Sequence, residues 1–329
     1  MLYQSARDLK LQVALEVFAP HLNDLIARST LPSLDHLQLP VPPPRIGIGI
    51  GIGDRPGEFS LAIRFTERFP DLDVLLQRII ALANNEVDIV ATGAIRAFVA
   101  PADVAALRSA CRPLVIGCSV AHVTSTAGTL GLMAQHTKTN RTVLVSNSHV
   151  FAHAGTANIG DGITQPGRVD GGTVPVGSLI DFVALKPSGS NLIDAAIGLP
   201  DAAIELQPDE IPSIGKFTIA AAGVPQPNLG VSKLGRTSGL TRGTITAVEV
   251  DNIVMDSEVG NVTFDDQIEI KGADRAFSQL GDSGSLVVSD QNQAIGMVFC
   301  GNEFANAGLG VTYANPLPRI MDAFNLKPL

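Results

Sequence analysis

From about residue 113 onward, short apolar runs alternate with Gly, Asn, Asp and Pro, and the spacing typical of amphipathic helices is absent. Runs such as "RTVLVSNSH", "GTITAVEVDNIVM" and "AIGMVFC" have the length and the β-branched content of strands. About ten such runs over about 200 residues, each bounded by turn residues, predict a barrel or sandwich of antiparallel strands. The fold class predicted from this pattern is therefore mainly β.

The first third of the chain has a different pattern. Residues 3–28 place apolar side chains at helical intervals, and Pro20 predicts a kink or a break in that helix. The stretch "LPVPPP" cannot continue a helix and marks a linker, so the first boundary falls near residue 40. Residues 44–110 then have the pattern of two strands, a helix and a third strand. This order predicts a small α/β domain of ββαβ type after the helical segment of residues 1–40.

The glycines of "RIGIGIGIGDRPG" invite comparison with a nucleotide-binding loop. Such a loop needs a helix that begins directly after its glycines, because the phosphate lies at the helix N-terminus. Here a turn and the alternating run "FSLAIRF" follow instead, which favours a second strand. We therefore predict no nucleotide and no other cofactor.

Composition and charge limit the kinds of molecule that we expect this protein to bind. The chain of 329 residues has a formal net charge of −9 and no cluster of Lys and Arg, which argues against nucleic acid. Cys111, Cys118 and Cys300 have the spacing of neither a zinc site nor a disulfide framework, so we expect no metal and reduced thiols. There is no signal-peptide pattern and no uncharged apolar run of about 18 residues. We therefore expect a cytoplasmic protein that does not contact membranes.

The stretch "SQLGDSGSLVVS", residues 278–289, has two interpretations. Asp, Ser and Gly are common in surface turns, so the first interpretation is a plain turn. The second is that Ser283 is a nucleophile held on a stiff turn ahead of an apolar strand. The amides of Gly281 and Ser283 would then point the same way and form an oxyanion hole. The position of the turn near the end of the β region favours this second interpretation.

A serine nucleophile needs a histidine base that a carboxylate orients. His149 ends the apolar strand "TVLVSNSH", which places its ring at the rim of the β structure, and His153 is the alternative. Asp194 lies between apolar residues in "NLIDAAIGL", and a buried acid needs a partner. That partner is either the ring of the histidine or a loop amide. The acids in glycine-rich or exposed settings are interpreted as turn residues: Asp161, Asp170 and Asp181.

Three segments resemble a known superfamily. "TVLVSNSHVFA", "NLIDAAIGL" and "LGDSGSLVVSD", in the order His, Asp, Ser, look like the active-site segments of the chymotrypsin-like serine peptidases. The stretches "GITQPGRVDGG" and "VSKLGRTSGLTRGTITAV" resemble, more narrowly, the trypsin-like proteins of the Narrow-leaf type and their bacterial relatives. This resemblance implies a chymotrypsin-like double antiparallel β-barrel over residues 113–329, with six strands in each barrel. The first barrel would span about residues 113–205 and the second about 210–315, followed by a short C-terminal helix.

The same resemblance assigns roles to single residues. His149 would be the general base, Asp194 its orienting acid and Ser283 the nucleophile, with the amides of Gly281 and Ser283 as the oxyanion hole. Phe277 would lie at the base of the substrate pocket, and Phe299, Cys300 and Gly301 would form one wall. No acid stands at the pocket base, so the expected preference is for apolar or small side chains over Lys and Arg.

Two departures from the family pattern concern the control of the site. Phe299 stands where many relatives have a serine that supports the triad acid. Asp282 matches the acid that pairs with a freed N-terminus in zymogen relatives, yet a long segment precedes the protease region in this chain. Activation by trimming of the N-terminus is therefore not expected.

The function expected from these observations is that of a serine endopeptidase that cuts protein or peptide substrates through an acyl-enzyme. The alternative from another class is a latent protease-like scaffold that binds peptides or partner proteins in the same cleft. An esterase with the same triad is not separated from a peptidase by the sequence. The apolar stripe of the N-terminal helix needs a partner, either the rest of the chain or a second copy, so a homo-oligomer is a hypothesis.

Overall fold

The structure, a computed structural model, is described over residues 1–19, 46–92 apart from 54, 56, 67 and 70, then 104–220, 225–302 and 310–329. Strands are its predominant secondary structure, at 44% against 16% helix. The helices are α1 (Tyr3–Val13), which continues as the π-helical turn Ala14–Phe18, then α2 (Leu72–Leu82), the short α3 (Ser148–Phe151) and α4 (Leu317–Ala323). Two single 3₁₀ turns are formed by His153–Gly155 and Arg168–Asp170.

The strands follow the predicted order along the chain. The first three are β1 (Ile46–Ile52), β2 (Phe59–Phe65) and β3 (Val87–Ala91). The next ten are β4 (Leu114–Val115), β5 (Ser119–His122), β6 (Gly128–Thr129), β7 (Leu132–His136), β8 (Arg141–Ser146), β9 (Gly162–Thr164), β10 (Pro175–Phe182), β11 (Ser190–Asn191), β12 (Ala196–Pro200) and β13 (Leu206–Gln207). The last twelve are β14 (Glu210–Ile211), β15 (Gly215–Lys216), β16 (Thr218–Ile219), β17 (Gly230–Gly235), β18 (Gly239–Asp251), β19 (Ile253–Ser257), β20 (Gly260–Phe264), β21 (Gln267–Gly272), β22 (Leu286–Ser289), β23 (Gln293–Asn302), β24 (Val311–Pro316) and β25 (Leu326–Lys327).

The strand pairing forms two barrels, of which the second is closed and the first is open. In the second barrel the order is β17, β22, β23, β24, β21, β18, and β18 pairs back with β17 to close a ring of six strands. The first barrel is an open sheet in the order β25, β7, β8, β12, β10, β9, β5, β6. The predicted fold class, a chymotrypsin-like double β-barrel behind an N-terminal helix, is confirmed. The resemblance implied six strands in each barrel: the second barrel closes a ring of six, whereas the first is a half-barrel in which eight strands form an open sheet.

The predicted ββαβ unit of residues 44–110 is present as β1, β2, α2 and β3, but its sheet does not stand alone. Strand β1 pairs with β2 on one side and with β18 of the second barrel on the other. The glycines of β1 make this approach feasible, because a Cβ at Gly49 would lie 2.8 Å from the side chain of Val250. The glycine-rich run is therefore a strand in close contact with a neighbour. The predicted domain boundaries stay a prediction, since one sheet runs through this unit and the second barrel.

The N-terminal helix packs against β1 and β2 and reaches the end of β18. Lys10 forms an ion pair of 2.8 Å with Asp251, and Arg7 one of 3.1 Å with Glu249. On its inner face Val13 packs into the core shared with β1, β2 and α2. Part of the helix's apolar stripe therefore has its partner within the chain. The predicted break at Pro20 lies outside the described residues. In the described parts, no helix combines the length and the apolar character needed to cross a membrane.

A buried ion pair joins the ββαβ unit to the second barrel. The guanidinium of Arg64 on β2 donates to both carboxylate oxygens of Glu269 on β21, at 2.8 and 2.9 Å. Thr246 and Tyr313 donate to the same carboxylate at 2.7 and 3.0 Å, and Arg64 also reaches Asp88 at 2.7 Å. Burial alone raises the pKa of Glu269, but the charge and hydrogen bonds of Arg64 hold it below its usual value.

Replacing Arg64→Met tests this junction. The substitution leaves the Glu269 carboxylate buried without its charge partner, so we expect the free energy of unfolding to fall by about 3–5 kcal/mol in urea denaturation at neutral pH. Arg68→Met is the control, because the pair of Arg68 with Asp73 is exposed at 74% and 73% and contributes at most about 1 kcal/mol. Equal effects of the two substitutions would contradict a structural role for the buried pair.

The pH dependence gives a second readout of the same pair. The pKa of Glu269 is lower in the folded than in the unfolded state, so its stabilisation is present above the unfolded value and is lost as the pH falls through the folded one. The difference between the wild type and Arg64→Met should therefore shrink below about pH 4.

Candidate active site

His149 stands at the end of β8, where the chain leaves the barrel wall and begins α3. Its ring Nδ1 lies 2.5 Å from Oδ2 of Asp194, and its backbone N–H donates to Oδ1 of the same carboxylate at 3.2 Å. A carboxylate can only accept, so Nδ1 carries the proton and Nε2 is left with its lone pair. Burial disfavours the imidazolium, but the charge and hydrogen bond of Asp194, and more weakly the charge of Glu258, outweigh it and raise the pKa of His149.

Asp194 is fully buried in the turn before β12. Its backbone carbonyl accepts from Asn147 at 2.7 Å, and its backbone N–H donates to Asn315 of β24 at 2.9 Å. Asn315 is fixed in turn by Gln267 at 2.7 Å. The second barrel therefore holds in place an acid that belongs to the first. The sequence left two partners open for Asp194, a loop amide and an imidazole. His149 supplies both, through its backbone N–H and its ring.

Ser283 lies in the tight turn before β22, between two glycines in the left-handed region. Gly281 has φ 92° and Gly284 has φ 96°, and a side chain on Gly281 would collide with Arg236. Thr129 of the first barrel holds the turn, since its hydroxyl donates to the carbonyl of Gly281 and its N–H to that of Ser283, both at 2.8 Å. Within the described part of the chain, the N–H groups of Gly281 and Ser283 have no acceptor. Two amides of this turn are thus available to an anionic oxygen.

The hydroxyl of Ser283 has a hydrogen-bond partner other than His149 in this structure. It donates to the carbonyl of Phe299 at 3.3 Å, and no hydrogen bond joins it to the imidazole among the described residues. The structure therefore joins His149 and Asp194 by two hydrogen bonds and gives the Ser283 hydroxyl a different partner. A rotation about χ1 is the smallest change that alters the serine's partner.

A buried lysine compensates Asp282, the residue before the serine. The ammonium of Lys233 on β17 lies 3.0 Å from Oδ2 of Asp282, and both side chains are fully buried. The amides of Thr237, Ser238 and Gln279 donate to the same carboxylate at 2.9, 3.1 and 2.9 Å. Burial lowers the pKa of Lys233 against the opposing charge of Asp282. This acid thus has an internal cation and needs no freed N-terminus as its partner.

Sequence reasoning missed Lys233, although a signal for it exists. Val231 and Lys233 are two residues apart on one strand, so they point to the same face, and that face is the buried one. A lysine on the inward side of an alternating strand needs an acid nearby. The role of Thr129 has no such signal, because it depends on how the two barrels pack.

The alternative base, His153, has other partners. Its Nδ1 lies 3.2 Å from Glu258, and its Nε2 lies 2.5 Å from the hydroxyl of Thr124. Two of the predicted turn acids also have side-chain partners: Asp161 lies 3.1 Å from Nε2 of His122, and Asp170 forms an ion pair of 2.6 Å with Arg236. For Asp170 the prediction of a glycine-rich, exposed setting was incomplete, since only 8% of its side chain is exposed. Asp181 accepts from the backbone N–H of the next residue at 2.8 Å.

The residues assigned to a substrate pocket lie in the protein core. Phe277 is buried among the side chains of the second barrel, and Phe299 and Cys300 are buried in a neighbouring cluster. The rings of Phe299 and Phe264 pack at 4.6 Å between centroids. Gly301 is buried in its pairing of β23 with β24. The side chains expected to line a pocket therefore fill one another's space, and their role towards a substrate stays a prediction.

Comparison with known proteins gives one family match and several structures with a similar fold. Residues 228–311 match the family described as the Nal1 C-terminal domain. The chain resembles a chymotrypsin from Cellulomonas bogoriensis at 19% identity, covering 65% of this chain and 97% of that one, with a TM-score of 0.45. It resembles protease A from Thermobifida fusca at 16% identity, covering 65% and 96%, with a TM-score of 0.46. At these identities the likeness concerns the fold alone. No curated protein matches the sequence.

The replacement Lys233→Met tests the internal cation. It leaves a fully buried carboxylate at Asp282 without a counter-charge, so the free energy of unfolding should fall by about 3–5 kcal/mol in urea. The matched control is Lys216→Met, because the pair of Lys216 with Asp209 is exposed at 77% and 63% and its loss should leave the urea midpoint nearly unchanged. A wild-type midpoint in the Lys233 variant would show that Asp282 finds its compensation elsewhere.

Proposed function

We propose that this protein is a serine endopeptidase in which Ser283 is the nucleophile, His149 the general base and Asp194 the acid that orients the base. The observation that carries the proposal is the short bond from Nδ1 of His149 to the buried carboxylate of Asp194. It fixes the tautomer in which Nε2 can accept a proton, which a histidine base requires. The raised pKa of His149 is that of a stronger base than a free imidazole.

The turn that holds Ser283 supports the proposed stabilisation of the reaction intermediate. When the serine oxygen attacks a peptide carbonyl, the carbonyl oxygen becomes an anion that needs donors already in position. The unpaired amides of Gly281 and Ser283 are suitable donors, and Thr129 and Asp282 hold the turn from two sides. His149 then returns the proton to the leaving amine, and water hydrolyses the acyl-enzyme by the same two groups.

A second function, a latent scaffold that binds peptides without cutting them, is favoured by one observation. The Ser283 hydroxyl is engaged by the carbonyl of Phe299 rather than by His149. In a latent protein this arrangement persists, whereas in an active enzyme it changes when a substrate enters. The two functions differ in whether Ser283 reacts with an acylating or phosphonylating reagent.

Labelling with a fluorophosphonate decides between them. We expect one covalent adduct on the wild type in intact-mass spectrometry and none on Ser283→Ala. His149→Ala should label about 10³-fold more slowly or worse, and Asp194→Asn about 10³- to 10⁴-fold, because the proton acceptor or its tautomer is lost. His136→Ala is the control, since the ring of His136, at the end of β7, bonds among the described residues only to the neighbouring Thr139. A folded wild type without an adduct would reject the peptidase in favour of the scaffold.

The pH dependence of this labelling tests the role of His149. The imidazole must be neutral to accept the serine proton, so the rate should rise with pH through a midpoint above the ordinary value of 6.5. A labelling rate independent of pH between about 5 and 9 would exclude His149 as the base.

A peptide-library profile tests the specificity. The residues that the family resemblance assigns to the pocket, Phe277 and Phe299 to Gly301, contain no acid, so we expect cleavage after apolar or small residues. Efficient cleavage after Arg or Lys would show that another part of the chain forms the pocket.

A further inference from the structure

Arg236 is a buried arginine in the turn between β17 and β18, where the second barrel meets the first. Only 7% of its side chain is exposed. Its Nη2 lies 2.6 Å from Oδ1 of Asp170, which belongs to the segment between β9 and β10 of the first barrel. Ser119 of β5 donates to the other carboxylate oxygen at 2.5 Å. The guanidinium is therefore anchored by the barrel to which it does not belong.

The same guanidinium packs against Gly281, one of the two glycines that flank Ser283. A Cβ on Gly281 would collide with Nη1 of Arg236 and with Oγ1 of Thr237. Nη1 also donates to that hydroxyl at 3.2 Å, so the two side chains form one surface against the glycine. A glycine adopts positive and negative φ about equally readily, so its φ of 92° must be fixed by its surroundings.

The main chain of Arg236 supports the same turn through Thr129. Its N–H donates to Oγ1 of Thr129 at 3.1 Å, and that hydroxyl donates to the carbonyl of Gly281 at 2.8 Å. Gly281 is thus held at its carbonyl by the backbone of Arg236, through Thr129, and at its Cα by the guanidinium. Both contacts meet at a residue whose amide has no acceptor within the described part of the chain.

One donor of the guanidinium is not used. Nε of Arg236 is buried and has no hydrogen-bond partner among the described residues. A buried ion pair contributes little stability beyond what well-packed apolar side chains of similar volume would provide. Stability alone therefore does not account for an arginine with an unsatisfied donor at this position.

We infer that Arg236 is a positioning residue for the oxyanion hole: anchored by Asp170, it holds Gly281 in the conformation that directs its amide to the carbonyl oxygen of a substrate. This inference rests on the function proposed above. It gives the contact between the barrels a role in the reaction, because a displacement of Asp170 is transmitted through one side chain to one of the two amides.

The test measures the rate of fluorophosphonate labelling of Ser283 in the full-length protein as a function of reagent concentration. Arg236→Met alone leaves Asp170 without its charge partner, so the variant used combines Arg236→Met with Asp170→Asn. We expect the maximal rate to fall about 10²- to 10³-fold, the effect of one lost oxyanion donor. The half-saturating concentration and the pH midpoint should not change, because the bond between His149 and Asp194 is untouched. Arg236→Lys, which keeps a cation opposite Asp170, should recover part of the rate.

Arg168→Met is the control, because Arg168 belongs to the same turn as Asp170 but is exposed and donates to the carbonyl of Val123. This variant should label at the wild-type rate. A purely structural role of Arg236 would instead reduce the fraction of protein that labels and leave the rate of that fraction unchanged. Such a result, or a double variant that labels at the wild-type rate, would overturn the inference.

Crystal structures of the wild type and the double variant decide the inference without any measurement of activity. We expect Gly281 to leave the left-handed region, or its carbonyl to lose the bond from Thr129, in the variant alone. An unchanged turn in the variant would contradict the positioning role. A wild type that does not label would reject the proposed hydrolase, while the two crystal structures would still show whether Arg236 positions Gly281.

Discussion

Three carboxylates are buried in the described part of this protein, and an uncompensated charge in an apolar interior costs several kcal/mol. Asp194 and Asp282 are completely buried and Glu269 is 1% exposed. Each has a partner from a distant part of the sequence: His149, Lys233 and Arg64 respectively. Because each pair is stable only when both partners are in place, these contacts also determine how the larger parts of the molecule fit together. Glu269 joins the ββαβ unit to the second barrel, while Asp282 and Asp194 organise the two halves of the candidate site.

The site itself depends on the packing of one barrel against the other. Asn315, on the second barrel, fixes the backbone of Asp194, on the first. In the opposite direction Thr129, on the first barrel, fixes the turn of Ser283 on the second. Each barrel therefore depends on a residue of the other barrel to position its own reactive side chain. A small displacement between the barrels changes both halves at once, which is how a site assembled from two units can be regulated without a lid.

The local parts of this arrangement could be predicted from the sequence, and the distant ones could not. The strand pattern places His149 at the end of β8 and a glycine-flanked serine before β22, because turn residues and alternation are local signals. The pairing of β1 with β18 joins residues about 200 positions apart, and the run "IGIGIGI" carries no signal that identifies its partner strand. The inward direction of Phe277 and Phe299 likewise depends on which face of each strand meets the core, which their position in the sequence does not give. The partner of the Ser283 hydroxyl depends on the rotamer of the side chain, and a sequence pattern does not predict rotamers.

Strand β18 links the N-terminal part of the molecule to the candidate site. Its first half pairs with β17, where Lys233 lies opposite Thr241, and its second half pairs with β1. The cation that compensates Asp282 and the sheet of the ββαβ unit are therefore attached to the same strand. The N-terminal helix binds this strand as well, through the ion pairs of Lys10 and Arg7 at its far end. Strands in one hydrogen-bonded sheet move together far more readily than they separate. Any influence of the N-terminal region on Ser283 is thus expected to pass along β18 to Lys233 and Asp282, because β1 extends the sheet of the second barrel from that strand.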